Sequence, residues 1–164
     1  MPSGDSELNN IIKELSIEYK SPLFPAHLTL LGDLIGDKQE IEKDALHLAQ
    51  QIRPFSIRLA GLDIQENYFR CLYIKAEENK LLSRANEFAR KIFHREKDPK
   101  FMPHISLMYG KISGKEAIIK RLGISAEFEV RSIHLYSCDG EPKDWYPIRE
   151  FTFRTATFKR NPLF

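Results

Sequence analysis

Cysteine is scarce in this sequence. Cys71 and Cys138 are its only thiols, and neither belongs to a C-x-x-C spacing, which argues against a zinc knuckle or a dithiol redox centre. Buried free thiols are the expectation for both, since unpaired cysteine usually behaves as a small core residue. Long apolar runs are also missing. Nothing approaches the roughly 18 residues of a membrane span, and Met-Pro-Ser-Gly-Asp at positions 1–5 lacks the charged and apolar regions of a secretory signal. The expectation is a cytoplasmic protein with no membrane partner. There is no tract of one charge either: 25 basic and 23 acidic residues are interspersed, for a formal net charge of +2. That balance excludes the basic footprint of a protein that tracks long nucleic acid, and leaves room for a small anionic ligand. A G-x-S-x-G nucleophile elbow is absent, as is any Gly/Ser linker that would divide the 164 residues into independent domains. Residues 1–164 are therefore read as one compact domain.

What is present reads as an alternation of helices and strands. Leu8, Ile11, Ile12, Leu15 and Tyr19 recur at helical spacing over 6–19, with Asp5 or Ser6 as candidate cap. After Pro22 and Pro25, His27-Leu28-Thr29-Leu30-Leu31-Gly32 reads as a short strand ending on glycine. A helical face of Ile41, Ala45, Leu48, Ala49 and Ile52 follows, then alternating strands at 55–64 and 68–76 joined by a turn at 65–67. The order then repeats: a helix over 79–94, a strand over 103–110, a short helix near 114–122, and strands near 127–138 and 146–154.

The repetition suggests an internal duplication, with an offset of 77 residues from His27 to His104. This is too long for a solenoid repeat and suits two lobes about a pseudo-twofold axis. The expected fold is α+β and bilobal, with two small antiparallel sheets, helices on the outer faces and a cleft between the lobes.

Chemistry enters with a matched pair. His27-Leu28-Thr29-Leu30 and His104-Ile105-Ser106-Leu107 both read histidine, aliphatic, hydroxyl, leucine, and His47, His94 and His134 do not. Two such matches among five histidines would arise by chance in roughly 6% of sequences of this composition, so an isolated match means little and the pair means more. On a strand, residues i and i+2 share a face. His27, Thr29, His104 and Ser106 would then face one cleft, with the aliphatic residues turned to the core.

Two imidazoles near neutral pH can divide one hydrolysis, one taking a proton from water and the other giving a proton to the departing oxygen. Hydroxyls can orient an anion without competing for that proton. Phosphodiester cleavage fits this set better than acyl transfer does. No Asp, Glu or Cys stands at ligand spacing beside either histidine, so no metal and no cofactor is expected. Phe69 would share the cleft face with Cys71 and Tyr73 by alternation along 68–76. Tyr109 lies an odd number of places from His104 and reaches the cleft only if the strand ends or bulges before Gly110. Trp145 sits on a loop or strand start, where core and cleft are equally open to it.

With both motifs in view, the sequence resembles the two-histidine phosphoesterase superfamily. Within it, residues 24–32, 68–73 and 101–110 look most like the cyclic phosphodiesterases of plants and fungi, and the likeness runs over roughly 8–154. The resemblance implies opening of ADP-ribose 1″,2″-cyclic phosphate, a by-product of tRNA splicing, or of nucleoside 2′,3′-cyclic phosphates, without metal. It implies His27 and His104 as the acid/base pair, Thr29 and Ser106 as phosphate ligands, and Phe69, Tyr109 and Trp145 as aromatic substrate contacts. The rival expectations are a ligase-like RNA 2′,3′-cyclic phosphodiesterase acting on RNA ends, and a non-catalytic module that binds nucleotide or RNA.

Overall fold

A computed structural model describes residues 3–111 and 115–155. The first helix, α1 (Ser3–Tyr19), begins ahead of Asp5 and Ser6, so neither stands at the cap position expected for it. Leu8, Ile12 and Leu15 from one face of α1 are almost wholly buried, and each contributes roughly 1.5–3 kcal/mol by leaving water. The second helix, α2 (Lys38–Gln51), starts where the Asp37 carboxylate accepts from the N–H groups of Gln39 and Glu40. It buries Ala45, Leu48 and Ala49. In α3 (Lys80–Ile92) the cap is Asn79, which accepts from the N–H groups of Leu81 and Leu82. The Asn79 amide also donates to the Ser56 carbonyl at 2.7 Å, anchoring that helix start to the sheet.

The strands form two antiparallel sheets. In the larger, the spatial order is β3 (His104–Met108), β2 (Leu72–Ala76), β1 (Phe55–Asp63), β4 (Ser125–Val130). The smaller pairs β5 (Ser132–Ser137) with β6 (Tyr146–Thr152). The α+β class and the two antiparallel sheets are as expected. The sheets are unequal, however, and the larger one draws strands from both halves of the chain. Helix α1 packs on β3 and β4, while α2 packs on α3 and on the smaller sheet. A last short helix, α4 (Lys115–Arg121), precedes β4; the expected helix start at residue 114 lies outside the described residues.

Three strands expected from the sequence are altered. The segment expected over 127–138 divides at Arg131 into β4 and β5, which belong to different sheets. The segment expected over 68–76 opens with a 3₁₀ turn, Tyr68–Arg70, and only then becomes β2. Asn67 decides this, because its side-chain oxygen accepts from the Phe69 N–H at 3.0 Å and closes a local turn that competes with a ladder. The strand expected over 27–32 does not form. One antiparallel bridge, Leu28 to Ile105, is all that joins it to the larger sheet.

Side chains hold that segment instead. The Asn9 oxygen accepts from the Ala26 N–H at 2.8 Å, and the buried Asn86 amide donates to the Leu30 carbonyl at 2.7 Å. The Arg95 guanidinium donates to the carbonyls of Gly32 and Asp33. Prolines at 22 and 25 supply no N–H to a ladder, so bonds from α1 and α3 satisfy backbone that a strand would have paired. Of the two thiols, Cys71 is buried and donates to the Met108 carbonyl at 3.1 Å, whereas Cys138 is exposed, contrary to expectation. No helix among the described residues is long and apolar enough to cross a membrane.

Candidate functional site

The larger sheet has an apolar face and a polar one. Ile74 lies opposite Ile105, and Ala76 opposite Leu59, on the side that packs into the core. On the other side Tyr73 lies opposite Ser106, Lys75 opposite His104, and Asp63 opposite Tyr73. Strand alternation thus brings His104 and Ser106 to the polar face. Because Leu28 bridges Ile105 in antiparallel sense, the residues flanking the bridge fall opposite one another: His27 beside Ser106, and Thr29 beside His104. Both histidine motifs therefore meet at one edge of one sheet.

Both imidazoles are tied in the same manner. His27 Nδ1 lies 2.7 Å from the Pro25 carbonyl, and His104 Nδ1 lies 2.8 Å from the Met102 carbonyl, each acceptor two residues upstream. A carbonyl only accepts, so Nδ1 carries the proton in both rings. Nε2 is then the working atom, a lone pair when the ring is neutral and a donor when it is charged. His104 is half-buried, and its pKa is lowered from the usual histidine value chiefly by that burial. The nearby charges of Arg70 and His27 lower it further, against the opposing effect of the Met102 carbonyl. His104 is accordingly set up as a neutral base.

Tyr73 supports that ring. Its side chain is fully buried, meets the His104 ring edge to face at 5.3 Å between centroids, and donates its hydroxyl to Asp63 Oδ2 at 3.2 Å. Lys75 pairs with the same carboxylate. Asp63 is thus engaged by two neighbours, and its pKa is lowered, first by Lys75.

The two hydroxyls differ. Thr29 is exposed, whereas Ser106 is buried and donates its proton to the Phe69 carbonyl at 2.7 Å. A hydroxyl has one proton, which Ser106 here places on the Phe69 carbonyl.

The three aromatic residues singled out from the sequence come together around His27. β3 ends at Met108, with a register shift across Leu72/Tyr73, so Tyr109 leaves the alternation of the strand. Its ring stacks on Phe24 at 3.8 Å and its hydroxyl reaches within 3.4 Å of His27 Nε2. Burial, above all, raises the Tyr109 pKa well beyond the ordinary tyrosine range, so the hydroxyl keeps its proton. Trp145 follows the 3₁₀ turn Pro142–Asp144 ahead of β6 and lies 6.1 Å from the His27 ring. Phe69 stacks with Trp145 at 6.4 Å and meets Tyr109 edge-on at 5.3 Å. Phe69 reaches this wall from the 3₁₀ turn, not by strand alternation, and Cys71 is buried, its thiol on the Met108 carbonyl.

Phe24 belongs to the site although the sequence did not single it out, whereas Tyr73 stands beside His104 on the face that alternation along 68–76 gave it. Phenylalanine does stand three places before each histidine, at 24 and 101, which was a legible sign for Phe24. His134, on β5, pairs loosely with Glu150 and Ser132, apart from this group. Among the described residues no three His, Cys, Asp or Glu side chains cluster as a metal ligand set.

A family model described as the 2'-5' RNA ligase superfamily matches residues 5–142. A curated Arabidopsis thaliana protein named cyclic phosphodiesterase is 20% identical to this chain over 118 residues, covering 71% of this chain and 65% of that protein. Among solved structures, a protein of Thermus thermophilus superposes with a TM-score of 0.66 at 23% identity, over 94% of either chain. Escherichia coli LigT complexed with NADP+ gives a TM-score of 0.61 at 16% identity over 92% of either chain. The same protein complexed with 3'-AMP gives 0.60 at 18% identity, over 92% of this chain and 93% of that one. These structures share the fold with this protein. Taken with a family model that spans most of the sequence, including both histidine motifs, they show that the chain belongs to the 2'-5' RNA ligase superfamily.

Proposed function

We propose that this protein is a phosphodiesterase that opens small cyclic phosphates by hydrolysis, with His104 as general base and His27 as general acid and with no metal. The observation that carries the reading is the matched pair of Nδ1 bonds to upstream carbonyls, which turns both Nε2 atoms to proton transfer. His104, held neutral, takes a proton from water through Nε2 as the water oxygen attacks phosphorus. The bond from phosphorus to the departing ring oxygen breaks, and His27 Nε2–H gives that oxygen its proton. Tyr109, 3.4 Å from His27 Nε2, then stands ready to donate to the neutral imidazole, because its own proton is retained. Thr29 supplies a hydroxyl donor to a non-bridging phosphate oxygen. Phe69 and Trp145 offer an aromatic wall for a base or sugar.

The name of the Arabidopsis relative and the nucleotides in the LigT complexes support a nucleotide-like cyclic phosphate, either ADP-ribose 1″,2″-cyclic phosphate or a nucleoside 2′,3′-cyclic phosphate. A second reading, action on RNA ends that carry a 2′,3′-cyclic phosphate, is favoured by the family description. Purified protein assayed against the two small substrates and a cyclic-phosphate-ended oligonucleotide decides between them. The proposal expects turnover of a small substrate. Turnover of the oligonucleotide alone supports the second reading, and binding without turnover of any of the three overturns both.

A further inference from the structure

A general base works only if its ring is held, and one hydrogen bond does not hold a ring. His104 Nδ1 is tied to the Met102 carbonyl, but an imidazole so tied still turns about that bond. A second contact, on another side of the ring, is needed to fix where Nε2 points. Tyr73 provides it. On β2, Tyr73 stands opposite Ser106 and Lys75 opposite His104, so Tyr73 is the diagonal neighbour of His104, within reach of an aromatic side chain. Its side chain is fully buried, and its ring meets the imidazole at 5.3 Å between centroids, with 71° between the planes.

The Tyr73 ring is itself held from its far end. The hydroxyl donates to Asp63 Oδ2 at 3.2 Å, and Asp63 lies opposite Tyr73 on β1. Lys75 pairs with the same oxygen, while Asp63 Oδ1 accepts from the Ile64 N–H at 2.8 Å. The carboxylate is therefore fixed by main chain on one oxygen and by side chains on the other. Burial, and then the Asp63 charge, raises the Tyr73 pKa, so the phenol keeps the proton it donates. Phenylalanine would fill nearly the same space, and a buried hydroxyl costs free energy unless it is bonded. The tyrosine with its partner adds a restraint on the ring that packing alone does not give. A row of side chains, Asp63, Tyr73 and His104, thus crosses β1, β2 and β3.

We propose that Tyr73 is a positioning residue for the general base, and that Asp63, with Lys75, locks it in place through the Tyr73 hydroxyl. This rests on the phosphodiesterase reading, but the placing of the ring is measured without turnover. The His104 ring protons are followed by NMR, as NOEs to the Tyr73 ring and as a pH titration, in the wild type, Tyr73→Phe, Tyr73→Leu and Asp63→Ala. On a cyclic phosphate that the wild type opens, kcat and KM are taken for the same proteins. The titratable and charged groups that bear on His104 are Tyr73 and Lys75 from β2, Asp63 from β1, His27 from the bridged segment and Arg70 from the turn. Neither substitution at Tyr73 alters a charge among them.

Tyr73→Leu removes the ring contact, so kcat should fall about 10–100-fold, the scale of a misplaced reacting group, with KM little changed. His104 should titrate at higher pH, because water reaches the face that Tyr73 covers. Tyr73→Phe keeps the contact and should rescue most of that loss, leaving a smaller deficit in kcat. Asp63→Ala should match Tyr73→Phe in kcat, and combining the two should cost little more, since both break one restraint. A folded Tyr73→Leu protein with wild-type kcat and wild-type titration of His104 overturns the proposal. If Tyr73→Leu does not fold, the other two variants decide it: unchanged kcat in both, or losses that multiply when they are combined, overturns it equally. The expected NMR changes around a wild type that opens no cyclic phosphate would sink the phosphodiesterase reading and leave Tyr73 as the residue that holds His104.

Discussion

Leu28 and Ile105, the middle residues of the two histidine motifs, face each other across a single antiparallel bridge. The bridge acts as a local twofold point. Each histidine comes beside the hydroxyl residue of the other motif, and each imidazole turns Nε2 outward by bonding Nδ1 to the carbonyl two residues before it.

The first expectation follows from that division of labour. His27→Ala and His104→Ala should each lower kcat/KM by about 10²–10⁴-fold, the usual weight of one positioned proton transfer. Steady-state kinetics on variants with wild-type circular dichroism and melting temperature check this, and near-normal turnover in either removes that histidine from the mechanism.

The two hydroxyls should separate. Thr29→Ala loses a free donor to the anion and should cost about 2–4 kcal/mol of transition-state stabilisation, read mainly in kcat. Ser106→Ala instead releases the Phe69 carbonyl and its turn. It should cost about 1 kcal/mol of stability and act mainly on KM through the displaced Phe69 ring. Equal effects on kcat from both substitutions would contradict the distinction.

The pH profile should be bell-shaped. The proposed base, His104, has a lowered pKa, so the acidic limb of kcat/KM should lie below the ordinary histidine value of about 6.5. Activity should fall as pH drops through the folded pKa and the ring takes up its proton. Stability should respond in the same sense. The unfolded chain binds this proton at higher pH than the native one, so His104 contributes a loss of stability as pH falls below about 6.5. Profiles and melts of wild type and His104→Gln check both, and an acidic limb unmoved by that substitution assigns the base elsewhere.

Chelation should leave the rate unchanged. Proton transfer by two imidazoles needs no bound cation, and no set of three ligand side chains clusters among the described residues. Assays with EDTA, and with divalent metal restored, check this; a chelated protein rescued by metal would rule out the mechanism proposed.

The His27 segment is held by side chains, and Asn86→Ala tests that support. Loss of the buried amide leaves the Leu30 carbonyl without its donor, at a cost of about 1–3 kcal/mol. Thermal melts should show the loss, and kcat should fall although Asn86 lies on α3, outside the group of residues around the imidazoles. An unchanged kcat in the destabilised variant would show that the bridge at Leu28 alone positions His27.

By itself the sequence determined the features that repeat or that carry local physics. The pairing of His27-x-Thr29 with His104-x-Ser106 was legible because it occurs twice. The amphipathic helices α2 and α3 were legible because their apolar spacing is regular; that Asp37 and Asn79 cap them came from the structure. The exit of Tyr109 from β3 could be stated beforehand only as a condition, since alternation says nothing of where a strand ends. Tertiary structure alone decided that 27–32 is no strand, because its backbone partners Asn9, Asn86 and Arg95 come from distant parts of the chain. It alone decided that the Ser106 proton goes to Phe69 and that burial lowers the pKa of one histidine. Hydrogen-bond partners and desolvation depend on what the fold packs around a group, and neighbours distant in sequence leave no period or spacing from which to read them.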